Sequence, residues 1–250
     1  MLSLLKGEGG TNFIAWGITG SGSFIRKSFE VLKRIKERYG VKITTYASRA
    51  GEEVARMYGI LDRIGEISPG RHYEELITED VAGASCTYSG RFMLGRYRLL
   101  VIAPATSNTV AKIVYGISDT IITTIASQAL KGGVPIIILP SDATEETEVP
   151  CYIDRERCTN CMECIDKCPF GAISELNCIP ILDLMKCHGC RVCELTCPEK
   201  AIFCFQKAKI KIREIDRENI EHLREMEGVT VVESPDQLED VIARTLGESY

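Results

Sequence analysis

Short apolar runs alternate with amphipathic segments along most of this chain. FIAWGI (13–18) reads as a buried strand. GSGS (20–23) follows it. Ile25, Phe29, Leu32, Ile35 and Tyr39 then recur at helical spacing until Gly40 closes the helix. VKITTYA (41–47) is the next strand, and residues 52–58 read as helical. RLLVIA (98–103) and VPIIIL (134–139) are further strands, with TSNTVAKIVYG and DTIITTIASQAL as helices between them. The pattern resumes late in the chain. Residues 216–227 read as a helix and GVTVVE (228–233) as a strand. Ser234 then caps a last helix with Pro235 at its first position. Strands alternating with helices predict an α/β fold, a Rossmann-like parallel sheet covered on both faces.

Residues 151–207 break this pattern with two matched runs, CTNCMECIDKCP (158–169) and CHGCRVCELTCP (187–198). C-x2-C-x2-C-x3-C-P, repeated, is the bacterial ferredoxin signature for two [4Fe–4S] clusters, in which the fourth cysteine of each run serves the other cluster. On that pattern Cys158, Cys161, Cys164 and Cys197 hold one cluster, and Cys187, Cys190, Cys193 and Cys168 hold the other. FGAI and EKAI after the two Cys-Pro pairs match each other, as an internal duplication predicts. Structural zinc is the alternative, but zinc pairs two knuckles at four ligands per ion and has no need of the third cysteine and Cys-Pro in both runs. The expected organisation is therefore an α/β domain over 1–150, an inserted ferredoxin-like module over 151–207, and the rest of the α/β domain over 208–250.

Composition narrows this little. The chain has 250 residues and a formal charge of −5, which gives no reason to expect nucleic acid as a partner. No apolar run approaches the roughly 20 residues of a membrane span, so no membrane partner is expected. MLSLLKGEGG (1–10) is too short in its apolar part for a signal peptide and has no basic segment before it. The expected location is the cytoplasm. Twelve cysteines there suggest metal or cluster sites rather than disulfides. Cys86, Cys151, Cys178 and Cys204 lie outside the cluster pattern. They read as small buried residues that stay reduced, with a further metal site at Cys151 as the alternative. His188 reads as a loop residue near a cluster.

Two loops of the α/β domain are candidates for binding a cofactor. GITGSGS (17–23) links the first strand to the first helix, where backbone N–H groups and the helix dipole favour phosphate. It is neither a Walker A loop nor G-x-G-x-x-G, and the second strand ends in Ala47-Ser48 without an acidic ribose ligand. A mononucleotide such as FMN fits better, with an ordinary glycine turn as the plain alternative. In the second loop, APATSNT (103–109), four short polar side chains follow a strand and open a helix, more than capping needs.

PATSNT resembles the PASANT motif of the homo-oligomeric flavin-containing proteins, the family of phosphopantothenoylcysteine decarboxylase, epidermin-type decarboxylases and flavin prenyltransferase. The likeness runs on to Ile117-Ser118-Asp119 and back to GITGSGS, and covers residues 13–142 and the C-terminal part. It implies FMN near subunit interfaces of a homo-oligomer. Thr19, Gly20, Ser21, Ser23 and Ser48 are then placed around the phosphate, and Thr106, Ser107, Asn108 and Thr109 by the ring and ribityl chain. The stretch PSDATEETEVP (140–150) lacks the decarboxylases' methionine-asparagine motif, and Gly132-Gly133 stands where the prenyltransferases carry arginine. Residues 209–241 are similar to the end of archaeal flavoproteins of the acceptor-dependent dihydromethanopterin reductase kind.

That resemblance implies an oxidoreductase that takes electrons from an external low-potential donor through two [4Fe–4S] clusters to FMN and reduces a dihydropterin. The alternatives are an electron-transfer flavoprotein serving a protein partner, and a cysteine decarboxylase with regulatory clusters. No general acid is assigned. His72 and Tyr73 read as a surface loop that could instead approach the site, and Lys112 as facing solvent.

Overall fold

The computed structural model describes residues 12–247; the N-terminal segment MLSLLKGEGG (1–10) lies outside them. In chain order the α/β part contributes β1 (Phe13–Ile18), α1 (Ile25–Tyr39), β2 (Lys42–Ala47), α2 (Arg49–Met57), β3 (Leu76–Thr78), α3 (Glu79–Ala82), α4 (Gly90–Met93), β4 (Leu99–Ala105), α5 (Ser107–Val114), α6 (Ile121–Gly132) and β5 (Ile136–Pro140). A stem strand, β6 (Glu146–Glu148), leads into β7 (Tyr152–Ile153), α7 (Glu163–Lys167), β8 (Ile173–Leu176), β9 (Ile179–Leu182), α8 (Val192–Thr196) and β10 (Ile202–Phe203). The return strand β11 (Lys207–Lys209) is followed by α9 (Glu214–Glu225), β12 (Val229–Val231) and α10 (Pro235–Gly247).

Six parallel strands form one sheet in the order β12-β5-β4-β1-β2-β3. Alternation along β1 sets its two faces. Ile14, Trp16 and Ile18 pack with Phe29 and Leu32 of α1 and Leu238 and Ile242 of α10. Ala15 packs with Ile122 and Ile125 of α6 and Leu223 of α9 on the other face. Burial on both faces is why these strands read as nearly continuous apolar runs. Strand order reverses between β1 and β4, the position where open α/β sheets bind ligands at the carboxyl ends of their strands.

The module leaves and re-enters this domain through an antiparallel stem, Glu146–Glu148 against Lys207–Lys209. A second short pairing, β7 with β10, follows directly, and β8 pairs with β9 as a hairpin. The two halves of the module repeat each other in detail. Met162 and Arg191 both adopt left-handed backbone before α7 and α8. Ala172 N–H donates to Cys168 Sγ at 3.3 Å, and Ala201 N–H to Cys197 Sγ at 3.3 Å. The duplication read from FGAI and EKAI is thus a repeated turn that aims each fourth sulfur.

The structure departs from the sequence reading in several places. The edge strand β3 and the short helices α3 and α4 form without any clear periodicity in the sequence. The helix expected over 52–58 begins at Arg49, because the Ser48 side chain caps it by accepting from Gly51 N–H at 3.0 Å. Cys151 and Cys204 are joined as a disulfide, against the expectation of reduced thiols or a metal ligand. Cys178 is exposed at the tip of the β8–β9 hairpin rather than buried. Lys112 binds both oxygens of Asp119 at 2.8 Å rather than facing solvent alone.

Candidate functional site

Three loops converge at the carboxyl edge of the sheet. Thr19 makes the central tie: its hydroxyl donates to Pro104 carbonyl oxygen at 2.8 Å and accepts from Thr106 N–H at 3.0 Å. Ser48 N–H donates to Ile18 carbonyl oxygen at 3.1 Å and brings the end of β2 alongside. The candidate residues from sequence therefore lie together, but they divide by what their side chains already do. Thr19, Ser23 and Thr109 are buried. The Ser23 hydroxyl pairs with Thr147 Oγ1 at 2.7 Å, toward the stem, and Thr109 pairs with Thr106 inside the α5 cap. Gly20, Ser21, Ser48, Thr106, Ser107 and Asn108 keep part of their surface open. The first turn of α1 carries no carboxylate, so nothing negative there opposes an anion drawn by the helix end; at α6 the Glu79 carboxylate accepts from Ile121 N–H at 3.2 Å, and at α5 Asp142 bonds Ser107.

Beside Ser48 opens a cavity of about 470 Å³ between Arg49, Glu79 and Asp80 on one side and Ser118, Asp119 and Thr120 on the other. That size is ample for a small-molecule ligand. The part-open hydroxyls of Ser21, Ser48, Thr106 and Ser107 and the acid-free start of α1 fit a flavin mononucleotide. Asp142, just past β5, was not singled out from sequence. Burial, with Asp216 nearby, holds its carboxyl above the ordinary range, while Ser107 and Ser141 hydrogen-bond to it and act the other way. Its signal was positional: a polar residue directly after a central strand. His72 does not belong here. Its loop precedes β3, at the opposite end of the sheet, where Tyr73 stacks on Phe13 at 4.1 Å.

The module's thiols gather in two sets. Cys158, Cys161, Cys164 and Cys197 line one cavity together with Ile153, Ile202 and Pro198. Burial pushes the Cys193 thiol up to about 11, and Cys187, Cys168 and Cys190 stand near enough to add to the shift. In each set the fourth sulfur thus comes from the other run. Four thiols lining one cavity, three from one run and one from the other, fit the ligand set of a [4Fe–4S] cluster.

The second set faces the α/β domain. Gly189 has φ +58°, and a Cβ there would fall 2.5 Å from Met57 carbonyl oxygen and 2.7 Å from Gly59 N. His188 Nδ1 pairs with Asp62 Oδ2 at 2.8 Å, and its ring stacks on Phe170 at 3.9 Å. Tyr58 links the parts. It stacks on Phe205 at 5.2 Å and donates its hydroxyl hydrogen to Glu148 carbonyl oxygen at 2.6 Å. A Cβ on Gly22 would fall 2.0 Å from the Tyr58 hydroxyl oxygen, so glycine is needed there for the loop to close on the ring.

Comparison with known proteins agrees with both halves. A flavoprotein family model matches residues 3–153, and a 4Fe–4S binding domain model matches 151–174 and 180–203. Dihydromethanopterin reductase (acceptor) of Methanosarcina mazei is 43% identical over 231 residues, 90% of this chain and 96% of that protein. The protein of the same description from Methanocaldococcus jannaschii is 43% identical over 226 residues, 89% and 92% of the two chains. Among solved structures, Burkholderia xenovorans DmrB in complex with FMN, described as a cubic protein cage for redox transfer, superposes with a TM-score of 0.62 at 26% identity, covering 94% of this chain and 95% of its own.

Proposed function

This chain belongs to the flavoprotein family, and from that membership we propose that it is an iron–sulfur flavoprotein oxidoreductase that reduces dihydromethanopterin to tetrahydromethanopterin with electrons from an external low-potential donor. The observation that carries the reading is the joining of both halves through Tyr58, which touches the Gly22 loop, the stem at Glu148 and the strand end at Phe205. A module that served only as a separate carrier would have no need of that docking.

When bound, FMN supplies hydride chemistry and the clusters supply single electrons. Ser21, Ser48 and the start of α1 bind the phosphate. Thr106, Ser107 and Asn108 line the approach to the ring, and Thr19 holds their loop in place from beneath. Asp142 keeps its proton to a higher pH than an exposed aspartate would and presents it at the Ser107 end of the site. The two thiol sets hold the clusters, with the second set on the flavin side and the first set outside it. The open cavity beside Ser118 takes the pterin. The chain assembles as a homo-oligomer, in keeping with the cage formed by the Burkholderia relative. Among the described residues no helix is long and apolar enough to cross a membrane.

Two features weigh against the decarboxylase and prenyltransferase chemistries. Asp142-Ala143 stand after β5 where the decarboxylases carry methionine-asparagine, and the chain then enters the stem strand β6 at Glu146. A side chain at Gly132 would strike Phe92 carbonyl oxygen, 2.1 Å from the Cβ position, so no arginine fits there. The test is anaerobic turnover with reduced methyl viologen as donor. Formation of tetrahydromethanopterin from dihydromethanopterin supports the proposal. Donor oxidation that proceeds only when a protein acceptor is added would make the chain an electron carrier instead.

A further inference from the structure

The Cys151–Cys204 disulfide lies outside both thiol sets and has no part in the function proposed above. It joins the residue before β7 to the residue after β10, 53 positions apart in sequence, and so closes the neck of the module. Its two residues are sealed from solvent, at 2% and 3% exposure. Their surroundings are particular. They pack with Ala172, Cys187, Cys168, Leu182, Leu184 and Phe205 in one apolar cluster, and Cys168 and Cys187 belong to the second thiol set. Cys204 N–H donates to Glu194 Oε1 at 3.0 Å, on α8 of the second run. The next residue, Phe205, stacks on Tyr58, whose hydroxyl oxygen lies against Gly22. The disulfide thus stands between the second thiol set and the loop assigned to the flavin phosphate.

We infer that Cys151–Cys204 is a third redox site of this chain, a disulfide–dithiol couple reduced by electrons that arrive through the second thiol set. Two electrons and two protons convert it: the sulfur–sulfur bond breaks, and each sulfur gains one electron and one proton. The electrons come from the same external low-potential one-electron donor, and the protons come from water. Ordinary thiol exchange requires a thiolate to reach one of the two sulfurs, and burial denies that access. Electrons need no such collision, and the Cys168 and Cys187 side chains already touch the pair's apolar shell. A two-electron couple at this position matches one-electron carriers on one side to a two-electron substrate on the other. Reduction also releases the covalent tie across the neck and leaves the β6–β11 stem as its hydrogen-bonded closure.

The inference rests on the proposed function only in requiring the clusters. Anaerobic holoprotein with confirmed iron and flavin is reduced with photoreduced deazaflavin, quenched in acid and alkylated with N-ethylmaleimide. The peptides holding Cys151 and Cys204 are then weighed. Both are expected unlabelled before reduction and labelled after it. A reductive titration should consume two electrons per chain more than the Cys151→Ala, Cys204→Ala double variant does, as disulfide reduction is a two-electron couple. In Cys168→Ala, the rate of labelling should fall roughly tenfold or more if exchange by external reductant is blocked by burial. Free thiols before reduction, an intact disulfide after the cluster absorbance is fully bleached, an equal electron count in the double variant, or an unchanged rate in Cys168→Ala would each overturn the inference. Absence of iron would overturn this and the proposed function together. An intact disulfide beside bleached clusters would overturn the present inference alone.

Discussion

The Tyr58 hydroxyl donates to the Glu148 carbonyl across 2.6 Å and so binds the end of α2 to the stem of the module. The residue is nearly buried, at 5% exposure. Burial, reinforced by Glu148, pushes its phenol well above the ordinary range, so it stays a neutral donor at any working pH.

Tyr58→Phe removes the hydrogen bond but keeps the stacking on Phe205. The expected cost is about 1 kcal/mol, the usual net value of one such bond. Tyr58→Ala removes the ring as well and should cost about 3–5 kcal/mol, as aromatic truncations in cores do. Urea unfolding of both variants checks the difference. Equal losses would mean that the ring has no packing role.

Cys168 belongs by sequence to the first run but stands with the second set. Cys168→Ala should therefore perturb the cluster of Cys187, Cys190 and Cys193 and leave that of Cys158, Cys161 and Cys164 intact. Low-temperature electron paramagnetic resonance of the reduced protein distinguishes the two. The parent protein should carry about eight irons per chain, four for each cluster.

Ser21→Glu places a carboxylate beside a loop assigned to phosphate, against the attraction of the helix end. The variant should lose FMN while keeping its iron, because the module folds around its own thiols. Flavin fluorescence after denaturation and iron analysis of one sample give both results. Retention of stoichiometric FMN would remove this loop from the flavin site.

Glu66 accepts from Arg63 and Lys33 and is held at about 2 by these hydrogen bonds. Its folded value lies below the ordinary 4.5. The ion pair thus stabilises the fold fully above pH 4.5, and the contribution fades as pH falls toward about 2. With the side chain a third exposed, screening limits it to ~0.5 kcal/mol. Glu66→Gln should be less stable than the parent by that amount at neutral pH, and the gap should close progressively below pH 4.5. Thermal melts across this range measure it.

What could be read from sequence followed how local each signal was. The central strands were legible because burial on both faces leaves unbroken apolar runs, as in RLLVIA and VPIIIL. The thiol sets were legible because cluster geometry constrains residue spacing directly. β3 was not legible: three residues at a sheet edge carry no period. The engaged roles of Thr19 and Ser23 were hidden for another reason. A hydroxyl in a glycine loop reads alike whether it faces a ligand or, as here, Pro104 and Thr147. Cys151 and Cys204 are 53 residues apart, and only the closing of the neck brings them together. Asp142 is silent in sequence because its burial beside Asp216 comes from packing across 74 positions of the chain.

The central claim is that electrons leave this chain from a flavin to a dihydropterin. Anaerobically reduced holoprotein, free of excess donor, is mixed with dihydromethanopterin in a stopped-flow spectrometer. The account predicts return of the oxidised flavin absorbance together with formation of tetrahydromethanopterin in proportion to the flavin reoxidised. Flavin that stays reduced in the presence of dihydropterin, yet is reoxidised by a protein acceptor, would contradict it.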